Sequence, residues 1–306
     1  MSTHRWTWLF GATVALVLAI GWNMAVARPA KKPVDWVALN PAFAGATFVN
    51  DATTCQTCHE NDTTHYGDTT HAKAFLLNPP SGVGGCESCH GPRSKHVENP
   101  TRELALVQDA RAQSAVCLQC HEGGARMGFK VGMHSTNDVS CTSCHTVMQQ
   151  KSPRALLKTE NAASTCVTCH APVKVEGNKM SHHPVREGRM DCASCHNVHG
   201  STPSLLVKST LNDTCYTCHA EKRGPFVWEH APARETCANC HVAHGSNQRN
   251  LLTSKDPFLC LSCHSYGGHI NLPRYNRTSN PYGTGCSNCH IMVHGSNHPS
   301  GAKLTR

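Results

Sequence analysis

The sequence predicts a fold of short α-helices and loops, with little or no β-sheet, wrapped around something other than aliphatic side chains. Three observations predict it. Of 306 residues, 20 are cysteine and 23 are histidine while only 6% are aromatic, a poor supply of large apolar side chains for an ordinary core. Every cysteine lies in a Cys-x-x-Cys-His motif, and the motifs recur at nearly regular intervals.

The ten motifs pair Cys55 and Cys58 with His59, Cys86 and Cys89 with His90, Cys117 and Cys120 with His121, Cys141 and Cys144 with His145, and Cys166 and Cys169 with His170. They continue with Cys192, Cys195 and His196; Cys215, Cys218 and His219; Cys237, Cys240 and His241; Cys260, Cys263 and His264; and Cys286, Cys289 and His290. A disulfide framework constrains spacing only loosely, and a redox dithiol or zinc site needs no histidine at the next position. Haem c attachment uses all three residues: two thioether bonds hold the porphyrin, and the adjoining histidine binds the iron. The reading is a multihaem cytochrome c with ten covalently bound haems.

Residues 1–27 read as a cleaved export signal, with Arg5, an apolar run from Trp8 to Gly21 and a small-residue cleavage site at Ala25-Val26-Ala27. That run is short for a membrane span of ~20 residues. No cysteine precedes Cys55 for lipidation. Residues 28–306 then form the decahaem domain with about 28 residues per haem, too little polypeptide for a stable core without a staple. The haems are therefore the core, and the apoprotein should be unfolded.

Motif starts fall into two interleaved series, Cys117, Cys166, Cys215, Cys260 and Cys141, Cys192, Cys237, Cys286. Leucine pairs recur with them at Leu156-Leu157, Leu205-Leu206 and Leu251-Leu252. The pattern predicts five two-haem units. Asp213 and Asp256-Pro257 stand where helices leading into motifs would be capped, and Asn99-Pro100 where a helix toward Cys117 would open.

Besides His4 and the ten proximal residues, twelve histidines remain as candidates for the opposite face of the irons: His65, His71, His96, His134, His182, His183, His199, His230, His244, His269, His294 and His298. One or two follow almost every motif, in the rhythm of the repeat. His71, His134, His183, His230 and His269 follow the first motifs of the units, and His96, His199, His244 and His294 the second. Within pairs, His71 is favoured over His65, His183 over His182 and His294 over His298. His199 lies three residues beyond His196, too close to reach the other face of the same macrocycle, so it should serve a neighbouring haem. The same holds for His244 and His294. No histidine follows His145 before the next motif; Met148 stands three residues on. Three readings follow for the fourth haem: a Met148 sulfur ligand, a packing methionine with His65, His182 or His298 as ligand, or an open iron.

Ten motifs, Cys-His-x-x-His-Gly at His196 to Gly200 and His241 to Gly245, and the tail His294-Gly295-Ser296-Asn297-His298-Pro299 together resemble the periplasmic decahaem cytochromes of the MtrA and DmsE type. The segment from Glu87 to Pro92 also occurs in other multihaem families. The resemblance implies a haem wire of anaerobic respiration and extracellular electron transfer, threaded through an outer-membrane β-barrel porin. Its donors would be inner-membrane quinol-oxidising or small periplasmic cytochromes, and its acceptor an extracellular cytochrome or reductase. Location would be periplasmic, at the outer membrane. A multihaem reductase with one open iron and a free periplasmic shuttle are the alternatives; no catalytic residue is assigned.

The formal charge of +8 is offset by two propionates per haem, which argues against a nucleic-acid binder. Charge is uneven: residues 51–122 carry nine acidic and five basic side chains, and residues 237–306 one and six. Differently charged docking partners at the two ends are the corresponding hypothesis.

Overall fold

The computed structural model describes residues 34–77, 85–101, 109–265 and 285–306; the export signal lies outside them. Trp36–Arg306 forms one compact unit. The described residues make short helices and isolated β-bridges, with no strand among them. The longest described helix, Ala110–His121, has 12 residues, and none is long and apolar enough to cross a membrane.

Local structure alternates with motif number. Odd motifs are entered through a helix carrying the first cysteine: Ala52–Gln56, Ala110–His121, Ala162–Cys166, Leu211–Tyr216 and Phe258–Leu261. Four of these have side-chain caps, in which Asp51, Asp109, Asn161 and Thr210 accept backbone N–H groups of the first turn. Even motifs instead open tight turns, at Glu87–His90, Cys141–Cys144, Cys192–Ser194, Cys237–Asn239 and Cys286–Asn288.

Three caps differ from those read in the sequence. Thr210, not Asp213, is the N-cap; its hydroxyl donates to the Asp213 carboxylate at 2.7 Å. The helix toward Cys117 begins behind Asp109, while Asn99 closes the preceding helix Ser94–Glu98. Asp256 accepts the backbone N–H groups of Cys286 and Ser287 at 2.8 and 3.0 Å, thereby holding the turn of the tenth motif rather than its own helix. Side-chain type announces a capping residue, but its donors are whichever amides the tertiary structure brings near. Asn212 likewise accepts the Cys237 N–H at 2.8 Å, and Ser114 that of Cys141 at 3.4 Å. The helix of an odd motif thus pins the turn of the next even one.

Buried apolar residues such as Phe43, Val116, Leu118, Phe129, Leu156 and Leu205 are scattered along the chain. They form local supports. At the amino-terminal end Phe43 packs edge-on against Trp36, with ring centroids 5.7 Å apart, under the Arg93 guanidinium at 5.1 Å. The buried Glu87 carboxylate accepts the N–H groups of Val49, Asn50 and Arg93, so desolvation is offset by three charge-assisted hydrogen bonds.

Segments following odd motifs dock on those three motifs further on. Ser181 bridges to Ser246, and Trp228 to Ser296. Gly245 lies against the Glu176 carbonyl, where an added Cβ would clash with backbone. Gly245→Ala should therefore destabilise the holoprotein by about 1–3 kcal/mol through forced backbone displacement, to be checked by denaturant unfolding followed at the Soret band.

Candidate haem-binding sites

The cysteines fall into a continuous series that follows the chain. Within each unit the first cysteines of the two motifs lie within hydrogen-bonding reach: Cys55 with Cys86, Cys117 with Cys141, Cys166 with Cys192, Cys215 with Cys237, and Cys260 with Cys286. Between units the second cysteines are close enough to interact electrostatically: Cys89 with Cys120, Cys144 with Cys169, Cys195 with Cys218, and Cys240 with Cys263. Motif one is therefore an electrostatic neighbour of motif two, two of three, and so on to ten. No cysteine is in a disulfide. Asp256, Cys260 and Cys286 cluster within 4.8 Å, but Asp256 is engaged with the Cys286 and Ser287 amides.

Histidines face each other in eight pairs, each joining a motif histidine to one outside the motifs. Ring centroids are 6.2 Å apart for His59 and His96, 5.7 Å for His121 and His71, 6.2 Å for His170 and His134, and 6.0 Å for His145 and His199. The others are 6.5 Å for His219 and His183, 6.1 Å for His196 and His244, 6.1 Å for His264 and His230, and 6.1 Å for His241 and His294. Two imidazoles bound to opposite sides of one metal, each by a bond of roughly 2 Å, place their ring centroids about 6 Å apart. The pairs fit an axially ligated haem iron.

The pairing skips a motif. The histidine after an odd motif faces the proximal histidine two motifs on; those after the sixth, eighth and tenth motifs face two motifs back, while His96, after the second, faces the first. His199 thus meets His145 and not an adjacent motif. The sequence gives such histidines to a neighbouring haem without saying which, because chain proximity excludes only the motif's own iron. The fourth motif has His199, so Met148 is not needed there. Among the described residues, no second histidine ring stacks on or crosses that of His90. His269 lies outside the described residues.

Hydrogen bonds fix the tautomers. Nδ1 of His145, His196, His241 and His290 lies 2.7, 2.9, 2.8 and 2.6 Å from the carbonyls of Ala155, Ser204, Asn250 and Lys303. A proton on Nδ1 donated to a carbonyl leaves the Nε2 lone pair for iron. Those carbonyls sit in turns with positive φ at Ala155 and Leu156, Ser204 and Leu205, and Asn250 and Leu251, with values between 48° and 63°. This is an uncommon conformation for residues with a Cβ. The leucine pairs visible in the sequence belong to these turns, and their service to the histidine was not legible there.

His134, His183 and His230 similarly direct Nδ1 to the carbonyls of Val198, Ala243 and Val293 at 3.3, 2.9 and 2.9 Å. Burial lowers the pKa of His71, His199 and His294, favouring the neutral ligand form. Nδ1 of His71 and His96 is buried without a hydrogen-bond partner.

Two of the three spare histidines are otherwise occupied. His182 contacts the Lys179 carbonyl through Nδ1 at 2.7 Å and Glu187 through Nε2 at 3.1 Å. His298 accepts the Ser300 N–H at Nδ1, 3.2 Å, which places its proton on Nε2. His65 is exposed on the helix Glu60–Gly67.

The doubled CXXCH family model matches residues 78–126, 134–175, 182–224 and 230–269. With motifs and facing imidazoles of this kind, the class is a multihaem c-type cytochrome that binds haem c covalently and transfers electrons. The chain is 38% identical to the multiheme cytochrome MtrA of Shewanella baltica over 236 residues, 72% of this chain and 70% of the relative. It is 23% identical to the cytochrome c-type protein NrfB of Haemophilus influenzae over 174 residues, 48% and 76% of the two chains. The chain belongs to the MtrA family of multihaem cytochromes.

Removing one imidazole of a pair should convert one haem to the high-spin state: His199→Ala is expected to add a ferric high-spin EPR signal integrating to one haem, whereas His182→Ala adds none.

Proposed function

We propose that this protein is a ten-haem electron conduit, exported by cleavage after Ala27 and built from five two-haem units over residues 28–306. The observation that carries the reading is the cysteine series, in which each motif has the next one along the chain as an electrostatic neighbour. Bound haem supplies one-electron iron chemistry. The chain's own residues would set the rest: thioether attachment would fix the order of the centres, and the eight paired imidazoles would hold their irons low-spin in both redox states.

The partners in this reading are an outer-membrane β-barrel porin around the wire, an inner-membrane or small periplasmic cytochrome as donor, and an extracellular cytochrome or reductase as acceptor. Support comes from the similarity to the multiheme cytochrome MtrA. A protein-enclosed wire needs the polar lumen of a barrel to pass a hydrocarbon layer of ~30 Å. A multihaem reductase is the second reading, favoured by one observation: His90 has no recorded imidazole opposite it.

Mass measurement of the mature holoprotein should show ten haems on a chain beginning at Arg28. EPR of the oxidised protein should show only low-spin ferric haem. A high-spin signal integrating to one haem in the native protein would sink the saturated wire and favour the reductase.

A further inference from the structure

The pairing rule assigns the position left over. Histidines after the sixth, eighth and tenth motifs, His199, His244 and His294, face the proximal histidines of the fourth, sixth and eighth. One step earlier in the same series, the residue after the fourth motif faces the second, whose proximal histidine is His90. Met148 occupies that position, three residues beyond His145 as His199 is beyond His196 and His244 beyond His241. We propose that Met148 is the sixth ligand of the iron held by His90, which makes the second haem a His/Met centre beside the eight with paired imidazoles.

The backbone supports the register. Thr146 N–H donates to the Leu156 carbonyl at 2.8 Å, as Asn197 does to Leu205, Val242 to Leu251 at 2.7 Å and Met292 to Leu304 at 2.9 Å. Bridges from His145 to Leu157, His196 to Leu206 and His241 to Leu252 repeat the arrangement. The segment carrying Met148 therefore leaves its motif as the histidine-bearing segments leave theirs.

A second, independent observation concerns His71. In three units the histidine after an odd motif directs Nδ1 to the carbonyl of the residue immediately before the even-motif histidine, at Val198, Ala243 and Val293. The register partner of His71 is the Val147 carbonyl, next to Met148, and the His71 Nδ1 is buried without a partner. Docking of this segment in the series' manner satisfies that donor and presents Met148 to the second haem together. Gln149 stands where Gly200, Gly245 and Gly295 follow the histidines, which removes the closest backbone approach. An unbranched thioether with three rotatable bonds is the side chain best suited to that change.

The consequence is electronic. A thioether in place of an imidazole raises the potential of a haem, so an electron rests preferentially at the second position, close to one end of the series.

The inference rests on facing imidazoles being axial ligands, and the test separates the two. The near-infrared magnetic circular dichroism of the oxidised holoprotein should contain a sulfur-to-iron charge-transfer band integrating to one haem. Met148→His should abolish that band, keep every haem low-spin and lower the potential of one haem, with ten haems still bound by mass. Met148→Leu should leave one haem high-spin. A native protein without the band overturns the proposal, whether all its haems are low-spin with His65→Ala then exposing one, or one is already open. If instead His199→Ala exposes no haem, the axial reading of the pairs fails, and that failure is recognised without any Met148 variant.

Discussion

The separation of two imidazoles across one iron is the constraint on which the rest depends. A metal–nitrogen bond of roughly 2 Å on each side fixes where two backbone segments stand, and those segments come from motifs two apart in the chain. Seen this way, the glycine at Gly245 against Glu176, the bridges from Ser181 to Ser246 and Trp228 to Ser296, and the strained turns at Leu156, Leu205 and Leu251 have one purpose. They hold rings at the separation a metal requires. Such supports are the part of a metal site that a count of ligands omits.

Alternation of motif type follows from the same requirement. A helix ending in its first cysteine gives the odd motifs a rigid entry, while the tight turn of the even motifs lets the chain reverse beside the neighbouring haem. Asn212 and Asp256 couple the two by accepting the amides of Cys237 and Cys286. The coupling places the cysteines of successive motifs side by side, and electron transfer between centres benefits from proximity that covalent attachment makes permanent. The amino-terminal unit departs from this plan: Glu87 gathers Val49, Asn50 and Arg93, and His96 faces His59 of the adjacent motif, since no motif in this sequence lies two before its own.

Much of the site was legible in the sequence for chemical reasons. The Cys-x-x-Cys-His spacing is a local covalent requirement, so the motifs announce themselves without a fold. His71, His183 and His294 face motif histidines, whereas His182 and His298 have both ring nitrogens committed or their proton misplaced for iron. The role of the leucine pairs was not legible, because their contribution is a carbonyl at positive φ and any side chain exposes the same carbonyl. Nor were the donors of Asp256, which lie 30 residues away.

By itself the sequence determined the cofactor chemistry, the class of fold and the reserve of imidazoles, since each follows from residue type at short spacing. Only the tertiary structure decided which histidine meets which. Pairing across two motifs depends on how helices, turns and glycines bring distant segments together, and no local interval encodes that distance. It gave His145 a facing imidazole in His199, which no interval along the chain announces.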